Sequence, residues 1–140
     1  MPGNNVFLDT NIFVYAHDFE AEEKRETSRQ LIYQTLQEGT GVISPQVLSE
    51  FFVTVTRKIA QPLSIAHAKR EISLLSVMAT VDLDATLVVR AVEMLQQWQV
   101  SYWDALILAS AERAGCETLY SEDLADGEKY GTVVVCNPYR

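Results

Sequence analysis

Three aspartates stand where a carboxylate could do chemistry. Asp9 follows the apolar run Val6-Phe7-Leu8, Asp123 comes shortly after Leu119-Tyr120, and Asp104 opens a predicted helix with almost no polar face. Apolar runs without polar alternation are typical of strands buried in a parallel sheet. Because ligands collect outside the carboxyl ends of such strands, we predict that the three carboxylates converge on one edge of the sheet.

Such a cluster predicts a particular chemistry. Carboxylates that lie close together repel one another, and at neutral pH they need protons or divalent cations. Oxygen ligands without His or Cys select Mg²⁺ or Mn²⁺ over zinc or copper. These ions polarise a phosphoryl oxygen and make a water more acidic, which is a route to phosphodiester hydrolysis.

Each acid also has a structural interpretation. Asp9 can cap the short helix that follows it, and Ser101 with Asp104 resembles a capping box. Glu50 lies well off the apolar face of its predicted helix, which is usual for a solvent-facing glutamate. The segment 122–128 is predicted to be an acidic loop, solvated and mobile at Glu122 and Glu128. At this point both interpretations stay open.

Strands and helices alternate along the predicted chain. Predicted strands cover residues 6–8, 42–44, 81–83, 116–120 and 132–136, and predicted helices cover residues 21–38, 46–58, 64–78, 84–98 and 101–114. This order implies right-handed crossovers. We therefore predict an α/β fold of three layers, a short parallel sheet with helices on both faces, as one domain over residues 1–140.

Composition sets broad limits on the class of protein. With 48% hydrophobic and 21% charged residues, the chain has the composition of a typical globular protein. It has no signal-peptide pattern and no membrane-length apolar run, and Cys116 and Cys136 suggest reduced thiols in a cytoplasmic protein. The net charge of -8 argues against nucleic acid, unless the acids gather around metal ions that offset it.

The acids and their flanking residues, taken in order, resemble the PIN-domain ribonucleases, and within them the toxins of the VapBC toxin–antitoxin type. The resemblance covers essentially the whole chain. Ser121 stands where many members have threonine, a change that keeps the hydroxyl. The motifs that carry the resemblance are Leu8-Asp9-Thr10-Asn11-Ile12, Ser49-Glu50-Phe51, Trp103-Asp104-Ala105-Leu106-Ile107, Tyr120-Ser121-Glu122-Asp123-Leu124 and Val135-Cys136-Asn137-Pro138.

The resemblance implies an endoribonuclease that depends on Mg²⁺ or Mn²⁺. Asp126 matches a position that is acidic in only some members, so it is a possible additional acid. By position, the implied metal ligands are Asp9, Asp104 and Asp123, with Glu50 binding partly through water or orienting the attacking water. The implied hydroxyl and amide groups that hold these carboxylates are Thr10, Asn11 and Ser121.

The resemblance also implies partners. They are an RNA substrate, a small antitoxin whose segment occludes the acidic pocket, and a second copy of the chain in a homodimer. Tyr102 and Trp103 could stack an unpaired base, but we predict that both pack in the core. His17 and His67 look isolated, and we assign neither to chemistry.

The alternative from another class is a Mg²⁺-binding regulatory or partner-binding module that cleaves nothing. A phospho-receiver domain requires paired acids after its first strand and a lysine after one of its last strands. A haloacid-type phosphatase would want Asp-x-Asp, whereas this chain has Asp9-Thr10-Asn11. Both of these particular modules are therefore disfavoured.

Overall fold

The computed structural model describes residues 4–140, so the first three residues of the predicted domain lie outside it. The strands are β1 Val6–Leu8, β2 Gly41–Ile43, β3 Ala79–Thr80, β4 Thr118–Tyr120, β5 Lys129–Tyr130 and β6 Val133–Cys136. The helices are α1 Thr10–Tyr15, α2 Glu22–Glu38, α3 Pro45–Arg57, α4 Ile65–Leu75, α5 Ala85–Gln97 and α6 Tyr102–Arg113.

The strands form one sheet in the order β3-β2-β1-β4-β6-β5. All neighbouring pairs are parallel except β5 and β6. Helices flank the sheet, so the predicted α/β architecture is confirmed. From β1 the chain moves outward through β2 and β3, then returns to place β4 on the other side of β1. The strand order therefore reverses between β1 and β4, which is where open α/β sheets bind ligands.

The sheet core is apolar, and side chains cap most of the helices, although α2 has no side-chain cap. Phe7, Phe51, Leu108 and Leu119 are all fully buried. Ser64, Asp84 and Ser101 each accept a hydrogen bond from a backbone N–H in the first turn of the helix that follows. Such caps satisfy donors that the helix itself leaves unpaired.

The third strand was predicted two residues too late. It is Ala79–Thr80, paired with Val42 and Ile43, rather than residues 81–83. The pairing stops because β2 ends at Ile43, where Ser44 turns the chain into α3. Just beyond β3, the Val81 N–H donates a hydrogen bond to the Ile43 carbonyl oxygen.

Two more differences concern the last strands. β4 begins at Thr118 rather than residue 116, because Thr118 is the residue that pairs with Val6 at the start of β1. The strand β5 was not predicted, and it forms an antiparallel pair with β6. Because β5 has only two residues, Lys129 and Tyr130, it is too short to show the alternation of apolar and polar residues that indicates a strand.

Within residues 4–140, no helix has the length and apolarity needed to cross a membrane. Cys116 is buried, Cys136 is partly buried, and both are free cysteines.

Candidate active site

The carboxyl ends of β1 and β4 lie side by side. Leu8 is in register with Tyr120, and the Asp9 N–H donates to the Tyr120 carbonyl oxygen at 3.0 Å. Asp9 and Ser121 therefore leave neighbouring strands at the same edge, which is the point where the strand order reverses. This is the edge of the sheet at which the carboxylates of Asp9, Asp104 and Asp123 were predicted to converge.

In the described part of the chain, the side chain of Asp9 is held by neutral hydrogen-bond donors alone. Its side chain accepts hydrogen bonds from the Thr10 N–H and from Ser121 Oγ, both at 2.7 Å, and the residue is 3% exposed. Burial raises the pKa of Asp9 to about 7, and the charges of Asp123 and Glu50 act in the same direction. Asp9 also caps α1, so the structural interpretation is correct. Within residues 4–140, no cationic side chain is among its hydrogen-bond partners.

Glu50 is fixed at both carboxylate oxygens. Thr10 Oγ1 donates to Glu50 Oε1 at 2.8 Å, and Gln46 Nε2 reaches Glu50 Oε2 at 3.3 Å. Helix α3 starts directly after β2, next to β1 in the sheet, and this position brings Glu50 to the residues that follow Asp9. Glu50 is half-buried and engaged, so the solvent-facing interpretation is wrong.

Asp123 is tied to the residues that follow β1. Asn11 Nδ2 donates to Asp123 Oδ2 at 3.2 Å, and the Asp123 N–H donates to Ser121 Oγ at 3.1 Å. Ser121 is fully buried and thus connects the backbone of Asp123 with the carboxylate of Asp9. Thr10, Asn11 and Ser121 thus each form a hydrogen bond with at least one of the acids.

Asp104 approaches the same acids from the first turn of α6. Its N–H donates to Ser101 Oγ at 3.1 Å, which confirms the helix cap. Partial burial raises the pKa of the Asp104 carboxyl; hydrogen bonding with Ser101 opposes this rise, and the charges of Asp123 and Glu50 add to it. The charges of Glu50 and Asp123 thus raise the pKa values of both Asp9 and Asp104.

An open groove of about 660 Å³ runs along this edge. Its lining contains one basic residue, Lys58, beside several acids. The groove is lined by Thr10, Asn11, Val14, Tyr15, Asp18, Ser49, Glu50, Val53, Thr54, Lys58, Ile59 and Asp123.

Two acids of the 122–128 segment have structural partners. Asp126 is exposed, and its Oδ1 accepts the Asn137 N–H at 2.8 Å, away from the residues that line the groove. Glu122 Oε1 accepts from Tyr15 Oη at 3.1 Å and from Lys24 Nζ at 3.0 Å. The prediction that Glu122 is solvated and mobile is therefore wrong, because partners far away in sequence anchor it.

Other predictions also need correction. Trp103 is 60% exposed rather than packed in the core, because the buried part of α6 begins at Ala105. His17 and His67 are not isolated: their ring centroids lie 6.2 Å apart, and His17 Nε2 is 3.2 Å from Glu71 Oε1. The histidine pair is not part of the groove lining.

The donor set fits a hard divalent cation that keeps much of its water. Within the described part of the chain, no three Asp, Glu, His or Cys side chains are grouped closely enough to form a ready-made ion cage. Mg²⁺ commonly binds through one or two carboxylates and retains several waters. The buried carboxyl of Asp9, with Glu50 and Asp123 close enough to raise its pKa, suits this mode of binding.

Comparison with protein families matches the chain to one family. Its description is "PIN domain", and the match covers residues 6–125. Among curated protein sequences, no relative with significant similarity was found.

Solved structures share the fold at low sequence identity. One is VapC20 of Mycobacterium tuberculosis, described as a sarcin-ricin loop cleaving toxin, with a TM-score of 0.65, 19% identity and coverage of 85% of this chain and 90% of that one. A toxin–antitoxin complex from Klebsiella pneumoniae has a TM-score of 0.68, 21% identity and coverage of 96% and 98%. VapBC2 from Rickettsia felis, bound to a promoter DNA fragment, has a TM-score of 0.67, 18% identity and coverage of 93% and 96%.

Proposed function

The chain belongs to the PIN domain family, and from this premise we propose that it is a divalent-metal-dependent endoribonuclease, the toxin of a toxin–antitoxin pair. The observation that carries the proposal is the environment of Asp9, a buried carboxyl at the point where the strand order reverses. Among the described residues, its hydrogen-bond donors are neutral, and the charges of Asp123 and Glu50 help to raise its pKa. A buried charge of this kind is costly unless a cation or a proton accompanies it.

The metal site we propose uses Asp9, Asp104 and Asp123, with Glu50 at its margin. Bound Mg²⁺ or Mn²⁺ supplies the positive charge that polarises a phosphoryl oxygen and makes a nearby water more acidic. Ser121 orients the Asp9 carboxylate through its 2.7 Å hydrogen bond. We assign no part in the chemistry to Asp126.

Glu50 has the position of a residue that directs water. Thr10 and Gln46 hold its two oxygens, so little freedom remains in the side chain, and it lines the groove that a substrate would enter. We propose that Glu50 orients the water that attacks the phosphorus or contacts the ion through water. Because water is the nucleophile, the ribose 2′-hydroxyl has no chemical task, and any preference for RNA comes from binding.

Partners follow from the same proposal. Toxin–antitoxin complexes are among the structures that share this fold, which supports a small antitoxin that covers the groove. A homodimer is supported by an exposed apolar face on α5. This face consists of Val88, Val89, Val92 and Leu95, which are 37%, 58%, 42% and 39% exposed.

We further propose that residues 1–140 act as one nuclease domain in the cytoplasm. A single sheet connects β1 near the start of the chain with β6 near its end, which supports one domain. The two cysteines are free, which suits a compartment that keeps thiols reduced.

The function is tested by cleavage of labelled single-stranded RNA and DNA of identical sequence in Mg²⁺, Mn²⁺ or EDTA. We expect RNA cleavage that requires the metal and is faster than DNA cleavage, and a panel of structured RNAs extends the test to selective targets. Cleavage that persists in EDTA would contradict metal dependence. If no RNA is cut while Mn²⁺ binds tightly, the protein is a metal-binding module and not a nuclease.

A further inference from the structure

A second pocket, of about 400 Å³, adjoins the acidic groove. Ser49 and Glu50 line both cavities, so a substrate at the acids has direct access to this pocket. Its remaining lining is mainly apolar, unlike that of the groove. The pocket is lined by Pro45, Gln46, Ser49, Glu50, Leu83, Trp103 and Leu106.

Trp103 gives this pocket a flat aromatic surface in contact with solvent. The side chain is 60% exposed, and Leu83 beside the pocket is 48% exposed. The indole meets the Tyr102 ring edge-on, with ring centroids 5.0 Å apart, which restrains its orientation. An exposed, oriented indole is the kind of surface on which an unpaired base stacks.

Gln46 supplies an independent sign of a ligand. The residue is 7% exposed, and its Nε2 donates to Glu50 Oε2 and to the Trp103 carbonyl oxygen. Its Oε1 is buried and has no hydrogen-bond partner in the described part of the chain. A buried amide oxygen without a donor is costly, and the N–H groups of a nucleobase are suitable donors.

We propose that this pocket binds one unpaired base of the RNA substrate, next to the phosphate that is cut. Trp103 stacks on the base, and the shared residue Glu50 sets the spacing between base and metal site. Because Gln46 Oε1 is closed to solvent, the Gln46 side chain turns toward the pocket that it lines before this oxygen accepts from a base N–H group. This inference rests on the proposed ribonuclease function. It makes the protein selective for single-stranded or looped RNA, in which a base is free to leave its stack.

The test compares RNA that has bases with RNA that lacks them. Binding is measured by fluorescence anisotropy with labelled oligomers of adenosine, cytidine or uridine, and with an abasic ribose-phosphate oligomer of the same length. Every variant carries Asp9→Asn, so that the RNA is not cut during the measurement. Trp103→Ala should weaken binding of at least one base-bearing oligomer by about 10-fold and leave abasic binding unchanged, while Trp103→Phe should retain most of the affinity.

Tyr33→Ala is the matched control, because Tyr33 is an aromatic side chain on α2 that is 64% exposed and outside both cavities. Tyr33→Ala should change neither the affinity for base-bearing oligomers nor the affinity for the abasic oligomer. Equal losses on base-bearing and abasic RNA would overturn the inference, as would an unchanged affinity of Trp103→Ala for RNA, even if that variant bound an antitoxin peptide less well. If the wild type cuts no RNA with Mg²⁺ or Mn²⁺, the ribonuclease proposal fails together with the pocket. If the wild type cuts RNA but the Asp9→Asn parent binds none, or binds it regardless of Trp103, only the pocket fails.

Discussion

Replacing Asp9 with asparagine is expected to lower metal-dependent RNA cleavage by about 1,000-fold or more. A metal ion contributes several kcal/mol of charge stabilisation in the transition state, and about 4 kcal/mol corresponds to roughly 1,000-fold in rate. The Asp9→Asn change keeps the size of the side chain and an oxygen for the Thr10 N–H, but it removes the charge that the ion needs. The initial rate of cleavage of the RNA that the wild type cuts best is the measurement.

Asp82→Asn is the control for this variant, because Asp82 is an exposed acid that does not line the groove. It should cleave at nearly the wild-type rate. If Asp9→Asn cleaved as fast as Asp82→Asn, the carboxylate at position 9 would be only a helix cap and the proposed metal site would be wrong. Circular dichroism of both variants shows whether the fold is retained.

Without metal, the same substitution is expected to stabilise the protein at high pH. The pKa of Asp9 rises from 3.8 to about 7 on folding, chiefly through burial. The folded chain therefore holds a proton that the unfolded chain has already released, and stability falls as the pH rises through this interval. At about 1.4 kcal/mol for each tenfold difference in proton affinity, the loss is of the order of 4 kcal/mol above the folded pKa.

Asp9→Asn removes this pH dependence. Its free energy of unfolding, measured with urea in EDTA, should exceed that of the wild type at about pH 8 and approach it at about pH 4. Asp104→Asn should act in the same direction with a smaller effect, because Asp104 is only partly buried. If both variants were less stable than the wild type at about pH 8, the two carboxylates would be structural caps.

The sequence signals that led to Asp9 and Asp123 as candidate site residues are local. An apolar run that ends in a carboxylate identifies Asp9, and the same pattern identifies Asp123. Alternation of strands with helices then requires a parallel sheet, which places strand ends at one edge. Some of the hydrogen bonds at these acids are also local, from the Thr10 N–H to Asp9 and from the Asp123 N–H to Ser121. The bond from Ser121 Oγ to Asp9, in contrast, joins residues far apart in sequence and depends on the pairing of β1 with β4.

The surroundings of the site depend on contacts between distant parts of the chain. Glu122 was predicted to be solvated because nothing near it in sequence indicates Tyr15 or Lys24 as partners. Trp103 was assigned to the core because it precedes a buried helix, whereas the burial begins two residues later. Gln46 was missed altogether, since its unpaired oxygen is visible only after α3 and α6 are packed.

The most direct test of the proposed metal site is equilibrium binding of Mn²⁺ to the wild type and to Asp9→Asn by titration calorimetry. We predict saturable binding to the wild type and binding more than about 100-fold weaker in the variant, since even groups that merely support metal ligands change affinity by about 10- to 100-fold. Equal affinities in the two proteins, or no saturable binding to the wild type, would contradict a metal site built on Asp9.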